Sequence, residues 1–207
     1  MIEITRDGGR WTVTLDRPDK ANSLTRAMLT TLAETAEAAA ADSDCRVFVL
    51  TGRGKVFSAG ADLDEARAGL ATDPVWERLS GAIAALPCLT IAALNGTLAG
   101  GAMGMALACD LRLAVPGSKV FYPVMKLGFL PQPSDPPRLA ALVGPARARL
   151  ILMAGARIEA EEARDWGLID RIVAPEALEA AVAELAADAL AASPAHVAGI
   201  KALIPAR

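Results

Sequence analysis

The chain has 207 residues, of which 53% are hydrophobic and 22% are charged, and its formal net charge at pH 7 is −3. This length and composition indicate one globular domain and exclude a disordered chain, while the negative charge and the few aromatic residues argue against nucleic-acid binding. No apolar run is long enough to cross a membrane, and the first residues do not resemble a signal peptide, so we expect a cytoplasmic protein.

Metal and disulfide chemistry are not expected either. The only histidine is His196, which excludes a multi-histidine zinc site. A Ser-His-Asp triad would have to use this histidine. The cysteines Cys45, Cys88 and Cys109 are odd in number and unevenly spaced, which favours reduced core thiols over disulfides or a metal site. Any chemistry is therefore expected to rest on backbone groups and carboxylates.

Short strands alternate with helices along the chain. Segments 2–5 and 11–15 predict two strands joined by a turn at 7–9. Apolar residues at helical spacing predict a helix over 25–40, and the apolar run 47–50 predicts a buried strand.

The alternation continues to residue 122 and then gives way to helices. Asp73-Pro74 predicts a helix start, because proline is favoured in the first turn. The later predictions are strands over 89–94, 111–115 and 119–122, a helix over 101–108, and a largely helical region after Asp135 with one strand at 170–173. This order predicts an α/β fold, and no linker marks a second domain.

Two segments share an apolar strand, a turn of small residues and a following helix. They are 57–63 (FSAGADL) and 96–104 (GTLAGGAMG). Small side chains let a ligand approach the main chain, and a turn that enters a helix presents free N–H groups. Two such groups that converge on one oxygen would polarise a carbonyl and stabilise an oxyanion or enolate. The alternative is that the glycines only allow tight packing.

Four short motifs follow one another along the chain, and their order is the basis of a family resemblance. They are Lys20-Ala21-Asn22-Ser23-Leu24, Phe57-Ser58-Ala59-Gly60-Ala61-Asp62, Asn95-Gly96 to Gly100-Gly101, and Cys109-Asp110. From about residue 11 to 201 the chain resembles the crotonase superfamily, the enoyl-CoA hydratase/isomerase family. The resemblance implies a spiral of ββα units in a single domain over 1–207. Its core would cover about 1–173, and its C-terminal helices, about 174–207, form a shorter region than is usual in the family.

The resemblance also implies an acyl-CoA ligand and a lyase or isomerase activity of lipid metabolism, with no cofactor beyond the CoA of the substrate. A homo-oligomer, trimer or hexamer, is expected, and a hetero-oligomer is an open alternative. The implied oxyanion hole consists of the Ala59 and Gly101 N–H groups, and the helix end at Gly101 adds partial positive charge. The substrate contacts carried over from the motifs are Lys20, Ala21, Leu24, Gly60, Ala61, Asp62, Leu63, Leu98, Gly100, Gly104 and Val124.

The sequence departs from the family at the acid–base positions. Members similar to the hydratases use two glutamates, and the matching positions here hold Gly104 and Val124. No Asp or Glu occurs between Asp110 and Asp135. Each positioned acid or base contributes roughly 10² to 10⁴ in rate, so the sequence argues against conventional two-glutamate hydration.

The remaining carboxylates and lysines each have two interpretations. Asp135 either caps a helix or is a relocated catalytic base. Asp62 and Glu65 have the spacing of a capping box, which favours a structural role for Asp62. Lys20 and Lys201 are either contacts for the CoA phosphates or solvated surface charges.

Two functions therefore stay open. The first is an enzyme that acts on an acyl-CoA thioester through an enolate, with the proton moved by Asp135 or by a group of the substrate. The second is a non-catalytic acyl-CoA-binding protein or a subunit of a hetero-oligomer, which Gly104 and Val124 favour. The two oxyanion turns favour the enzyme, although ligand binding alone also explains them.

Overall fold

The computed structural model describes residues 1–204 and places ten strands there in two sheets. In order across the larger sheet they are β1 (Ile2–Asp7), β2 (Arg10–Leu15), β3 (Val47–Gly52), β5 (Leu89–Leu94), β7 (Leu111–Ala114) and β10 (Arg171–Ile172). In order across the smaller sheet they are β4 (Val56–Ser58), β6 (Thr97–Ala99), β8 (Lys119–Phe121) and β9 (Ile158–Glu159). The last positions of the predicted helical region, 205–207, lie outside the described residues.

Successive strands alternate between the two sheets. In the pairs β3–β4, β5–β6 and β7–β8, the first strand joins the larger sheet and the second joins the smaller one. Within each sheet these strands run parallel, whereas β1 and β2 form an antiparallel hairpin around Gly8 and Gly9. The arrangement confirms the predicted α/β spiral of ββα units.

The described residues also form ten α-helices. They are α1 (Arg26–Ala41), α2 (Leu63–Arg67), α3 (Val75–Ala84), α4 (Met103–Ala108), α5 (Val124–Leu127), α6 (Asp135–Val143), α7 (Pro145–Leu152), α8 (Ala160–Asp165), α9 (Leu178–Ala191) and α10 (Pro194–Leu203). Helix α5 and strand β9 were not predicted, because four residues and two residues are too short for a periodic pattern.

The last two helices pack against the larger sheet and its neighbouring loops. The apolar face of α9, which includes Val182 and Ala186, is buried against the sheet. In α10, Lys201 Nζ donates to the Asp110 carboxylate and to Cys88 O, both at 2.8 Å. These bonds hold Lys201 in the fold, and its contact with the CoA phosphates stays a prediction.

The three cysteines are buried and reduced, as predicted. In the described part of the chain, no group of three or more His, Cys, Asp or Glu side chains is placed to hold a metal ion. No helix within residues 1–204 combines the length and apolarity needed to span a bilayer.

Candidate active site

The two glycine turns meet at the carboxyl ends of β4 and β6, which are neighbouring parallel strands. Gly60 has φ of 91° and Gly100 has φ of 58°, values that favour glycine. A Cβ on Gly60 would lie 3.0 Å from Ala99 O and 3.4 Å from Gly101 N. A side chain at position 60 would therefore separate the turns, and glycine lets them touch.

The backbone hydrogen bonds of the first turn decide which of its N–H groups can bind a ligand. Ala59 N–H donates to Ala21 O at 3.0 Å, so it is not available to a thioester, and the prediction of Ala59 as an oxyanion donor is wrong. The N–H groups of Gly60 and Asp62 are also bonded within the protein. The Ala61 N–H has no acceptor among residues 1–204, and Ala61 is partly exposed. A ligand oxygen can therefore reach this amide.

Gly101 presents an N–H group on the facing turn. It is the second residue of the 3₁₀ turn 100–102 that leads into α4, and N–H groups at a helix start have no acceptor within that helix. The Trp76 indole of α3 lies against its Cα, since a Cβ on Gly101 would be 3.2 Å from three ring carbons. The ring is held by a hydrogen bond of 2.8 Å from Trp76 Nε1 to Leu70 O.

The Asp135 carboxylate lies next to Gly104, at the position of the first family glutamate. A Cβ on Gly104 would be only 2.8 Å from Asp135 Oδ1 and 3.3 Å from Oδ2. Glycine therefore leaves the space that the Asp135 carboxylate fills. Gly101 and Gly104 are separated by about 5 Å of helical rise, so the carboxylate lies about one turn from the Gly101 N–H.

Asp135 is the first residue of α6, and Ser134 is the N-cap, so the interpretation of Asp135 as the helix cap is wrong. Its side chain is buried, and Oδ2 accepts a hydrogen bond of 3.0 Å from the Tyr122 hydroxyl. Within the described residues, Oδ1 has no hydrogen-bond partner. Burial raises the pKa of Asp135 to about 7, although the Tyr122 bond and the Arg138 charge act in the opposite direction.

Val124, at the second family glutamate position, begins α5 and borders an open apolar hollow of about 430 Å³. The hollow is lined by Val124, Met125, Gly128, Phe129, Leu130, Pro131, Leu152 and Met153. None of these side chains is charged. The surroundings of these two positions therefore differ, because the Asp135 carboxylate lies against Gly104 and apolar groups surround Val124.

Asp62 has a structural role, as its spacing predicted. Its carboxylate caps α2 by accepting the N–H groups of Asp64 and Glu65, and it forms an ion pair with Arg17 at 2.8 Å. The Glu65 carboxylate does not complete a capping box, because it accepts the N–H of Arg26 at the start of α1.

The other predicted substrate contacts are spread between the core and the surface. Leu24 and Leu98 are buried in the hydrophobic core. Leu63 is 73% exposed, Lys20 is exposed, and Ala21 contributes its carbonyl to the Ala59 N–H. Of this set, the structure places Gly60, Ala61, Gly100 and Gly104 at the two turns or the carboxylate.

Sequence reasoning missed Trp76 and Tyr122 as parts of the site. Trp76 reaches Gly101 from α3, and Tyr122 reaches Asp135 from the end of β8. Tyr122 is the only tyrosine of the chain, which is a weak signal. No local pattern indicates the position of Trp76, because its contact with Gly101 depends on how α3 packs on α4.

A family model described as Enoyl-CoA hydratase/isomerase matches residues 6–207 of the chain. The chain belongs to this family. The Bacillus subtilis protein YngF is 38% identical over 192 residues, which are 89% of this chain and 74% of that protein. Carnitinyl-CoA dehydratase of Citrobacter koseri is 35% identical and covers 97% of this chain and 78% of its own length. A solved enoyl-CoA hydratase from Bacillus anthracis has a TM-score of 0.88 at 32% identity, over 95% of this chain and 79% of that one.

These relatives confirm the predicted superfamily and fold. Another relative is 4-chlorobenzoyl coenzyme A dehalogenase-2 of an Arthrobacter species, 31% identical over 96% of this chain and 75% of its own length. The names of these hydratase/isomerase family relatives thus include a hydratase, a dehydratase and a dehalogenase. Membership of the family fixes the fold, and the reaction has to be argued from the side chains of this site.

Proposed function

We propose that this family member is an acyl-CoA isomerase that moves a proton along the acyl chain through an enolate, with Asp135 as its acid–base group. The observation that carries this proposal is the Asp135 carboxylate beside Gly104. It is buried, and its Oδ1 has no partner among the described residues. A buried, unpaired oxygen of this kind is costly in free energy, which makes sense if a substrate group meets it.

The proposed oxyanion hole consists of the N–H groups of Ala61 and Gly101. It is supported by the contact of the two turns and by the absence of an acceptor for Ala61 N–H in the described chain. When the acyl chain loses a proton, negative charge develops on the thioester oxygen. Each N–H donor aimed at such an oxygen typically stabilises the transition state by about 2.7–4 kcal/mol.

Asp135 performs both proton transfers in this scheme. The ionised carboxylate takes a proton from one acyl carbon, the electrons of that C–H bond form a carbon–carbon double bond, and the thioester oxygen becomes negative. The neutral carboxyl group then returns the proton to a second carbon, so a double bond moves and no atom is gained or lost. A pKa of about 7 suits both directions, because an acid–base group is most effective near the working pH.

Isomerisation is favoured over hydration by the surroundings of Val124. Hydration in the two-glutamate manner needs a second polar group that holds and activates water. Val124 borders an apolar hollow whose lining carries no charge. The proposed ligand is an acyl-CoA thioester, and CoA arrives as part of that ligand.

The test is the incubation of the purified protein with a 3-enoyl-CoA in heavy water, followed by mass spectrometry and ultraviolet detection of the conjugated 2-enoyl product. We expect conversion to the 2-enoyl product, with deuterium in the acyl chain only where the proton on Asp135 exchanges with solvent before its return, and a loss of rate of 10² or more in Asp135→Asn. The matched control is Asp165→Asn, which removes an exposed carboxylate whose only ion pair among residues 1–204 is with Arg164, and it should leave the rate unchanged.

Binding separates this proposal from the non-catalytic alternative. A butyryl-CoA thioester should bind more tightly than the S-butyl-CoA thioether, because only the thioester has an oxygen for the Ala61 and Gly101 amides. If both bind equally, the oxyanion assignment is wrong. If the thioester binds but the 3-enoyl-CoA comes back unchanged and without deuterium, the protein is a binder and the isomerase proposal fails.

A further inference from the structure

A second carboxylate supports the loop that carries Asp135. Glu77 lies on α3, is partly buried, and directs both oxygens at one residue, Ser134. Its Oε1 accepts the Ser134 hydroxyl, and its Oε2 accepts the Ser134 N–H at 3.3 Å. Ser134 is the N-cap of α6 and immediately precedes Asp135, yet its hydroxyl makes no capping bond to that helix.

Glu77 follows Trp76 in α3, and the two neighbours contact different halves of the site. Trp76 packs against Gly101 of the oxyanion turn, while Glu77 holds Ser134 beside Asp135. One short stretch of α3 therefore fixes both the donor turn and the acid–base loop. A side chain that only solvated the surface would have no need to bind Ser134 through both oxygens.

We infer that Glu77 is a positioning residue, which holds the Asp135 carboxylate in place beside Gly104 through Ser134 and adds negative charge behind it. Its effect on rate rests on the proposed isomerase function, whereas its effect on Asp135 itself does not. The inference gives this chain a second carboxylate in its acid–base apparatus, supplied by α3 and absent from both family glutamate positions.

The charges around Asp135 predict the direction in which its pKa changes when the Glu77 charge is removed. Burial is the largest influence and raises the pKa of Asp135, and the Glu77 charge also raises it. The Tyr122 hydroxyl and the Arg138 guanidinium on α6 lower it. Helices α4 and α7 also pack on α6. The sequence of α4, MGMALA, carries no ionisable side chain, and α7 carries Arg147 and Arg149, neither of which is among the groups that shift the pKa of Asp135. Removal of the Glu77 charge should therefore lower the pKa of Asp135.

Glu77→Gln and Glu77→Ala separate the charge from the contact. Glutamine can accept the Ser134 N–H through its amide oxygen and donate to the Ser134 hydroxyl oxygen, but it has no charge. We expect Glu77→Gln to keep most of kcat and to shift the pH profile of kcat/KM to lower pH. Glu77→Ala loses both bonds, and kcat should fall roughly 10²-fold, because a misplaced catalytic group has an effect of this order.

The pKa of Asp135 can be read without turnover, by NMR of the protein labelled at its aspartate carboxyl carbons, with Asp135→Asn as the assignment control. We expect a lower value in Glu77→Gln and no change in Glu37→Gln, which removes an exposed carboxylate paired with the next residue of α3, Arg78. A failure of the isomerase proposal leaves this readout intact.

A pKa of Asp135 that is the same in wild type and Glu77→Gln overturns the inference, as does a wild-type rate in a folded Glu77→Ala. Should Glu77→Ala not fold, Ser134→Ala replaces it, because this variant loses the hydroxyl bond and keeps the Glu77 charge. Ser134→Ala should lower kcat while the pH profile stays at its wild-type position. A shift of the profile in Ser134→Ala would contradict the separate roles of contact and charge.

Discussion

The two glycine turns of the proposed oxyanion hole and the proposed acid–base site at Asp135 lie side by side, but they are constructed differently. The turns use main-chain N–H groups, and their requirement is for small residues such as Gly60 and Gly101. The proposed acid–base site combines three separate elements: the Asp135 carboxylate on α6, the Tyr122 hydroxyl at the end of β8, and the space left by Gly104 on α4. The first is fixed by local backbone shape, and the second by the packing of distant segments.

This difference determines which part of such a site can be supplied by another element. A backbone donor cannot be supplied from elsewhere without changing the turn itself. A carboxylate can be supplied by another element, provided that the original position gives up its side chain. Gly104 and Asp135 form such a pair, because the carboxylate fills the space where a side chain at position 104 would begin.

The largest expected effect is on the pH dependence of stability. The pKa of Asp135 is raised from 3.8 to about 7 in the folded protein, so its contribution is fully present below about pH 4 and is lost as the pH rises to about 7. The loss is about 4 kcal/mol, from the relation between pKa shift and free energy. Urea unfolding of wild type and Asp135→Asn at a series of pH values should show a difference that grows over this range. A constant difference would mean that burial does not perturb this group.

Gly104→Ala directly tests the role of the Asp135 carboxylate in the proposed site. Its Cβ would be 2.8 Å from Asp135 Oδ1, so the carboxylate has to move, and we expect turnover to fall about 10²-fold. Gly199→Ala in α10 is the control, because its Cβ meets open space and should leave the rate unchanged. Equal rates for wild type and Gly104→Ala would show that Asp135 takes no part in the reaction.

Tyr122→Phe should have a smaller effect on stability, and the direction in which it shifts the pH profile tests the assigned contacts. Without the hydroxyl, neither Asp135 oxygen has a side-chain donor among the described residues, and the free energy of unfolding should fall by about 2 kcal/mol. The hydrogen bond lowers the pKa of Asp135, so its removal should shift the rising limb of the kcat/KM profile to higher pH. This is opposite to the shift expected for Glu77→Gln, and a shift in the same direction would contradict the assigned contacts.

Gly101→Ala tests the proposed backbone N–H donors on the two glycine turns and has the smallest expected effect. The substitution keeps the N–H group but brings a Cβ to 3.2 Å from the Trp76 ring, and overpacking of this kind costs about 1 kcal/mol of stability. The preference for butyryl-CoA over the S-butyl thioether should survive. Its loss would show that the ring position, and not the amide alone, determines thioester binding.

Much of the fold follows from patterns within short segments. The hairpin of β1 and β2, the helix over 25–40 and the apolar strands β3 and β5 were predicted because each reflects local periodicity or turn chemistry. The Ala59 assignment failed for a tertiary reason, since the acceptor of its N–H is Ala21 on another segment. The capping interpretation of Asp135 failed similarly, because Ser134 takes the N-cap position.

The sequence by itself determined the family, the alternation of strands and helices, and the two turns of small residues, because these depend on residue types at fixed spacing. It also predicted that Gly104 and Val124 occupy the positions of the two family glutamates. Only the tertiary structure decided that Asp135 lies beside Gly104, that Tyr122 bonds Asp135 from the end of β8, and that Glu77 bonds the preceding Ser134 from α3. The physical reason is that burial and hydrogen bonding act between residues far apart in the chain, and no local pattern records which of them will meet.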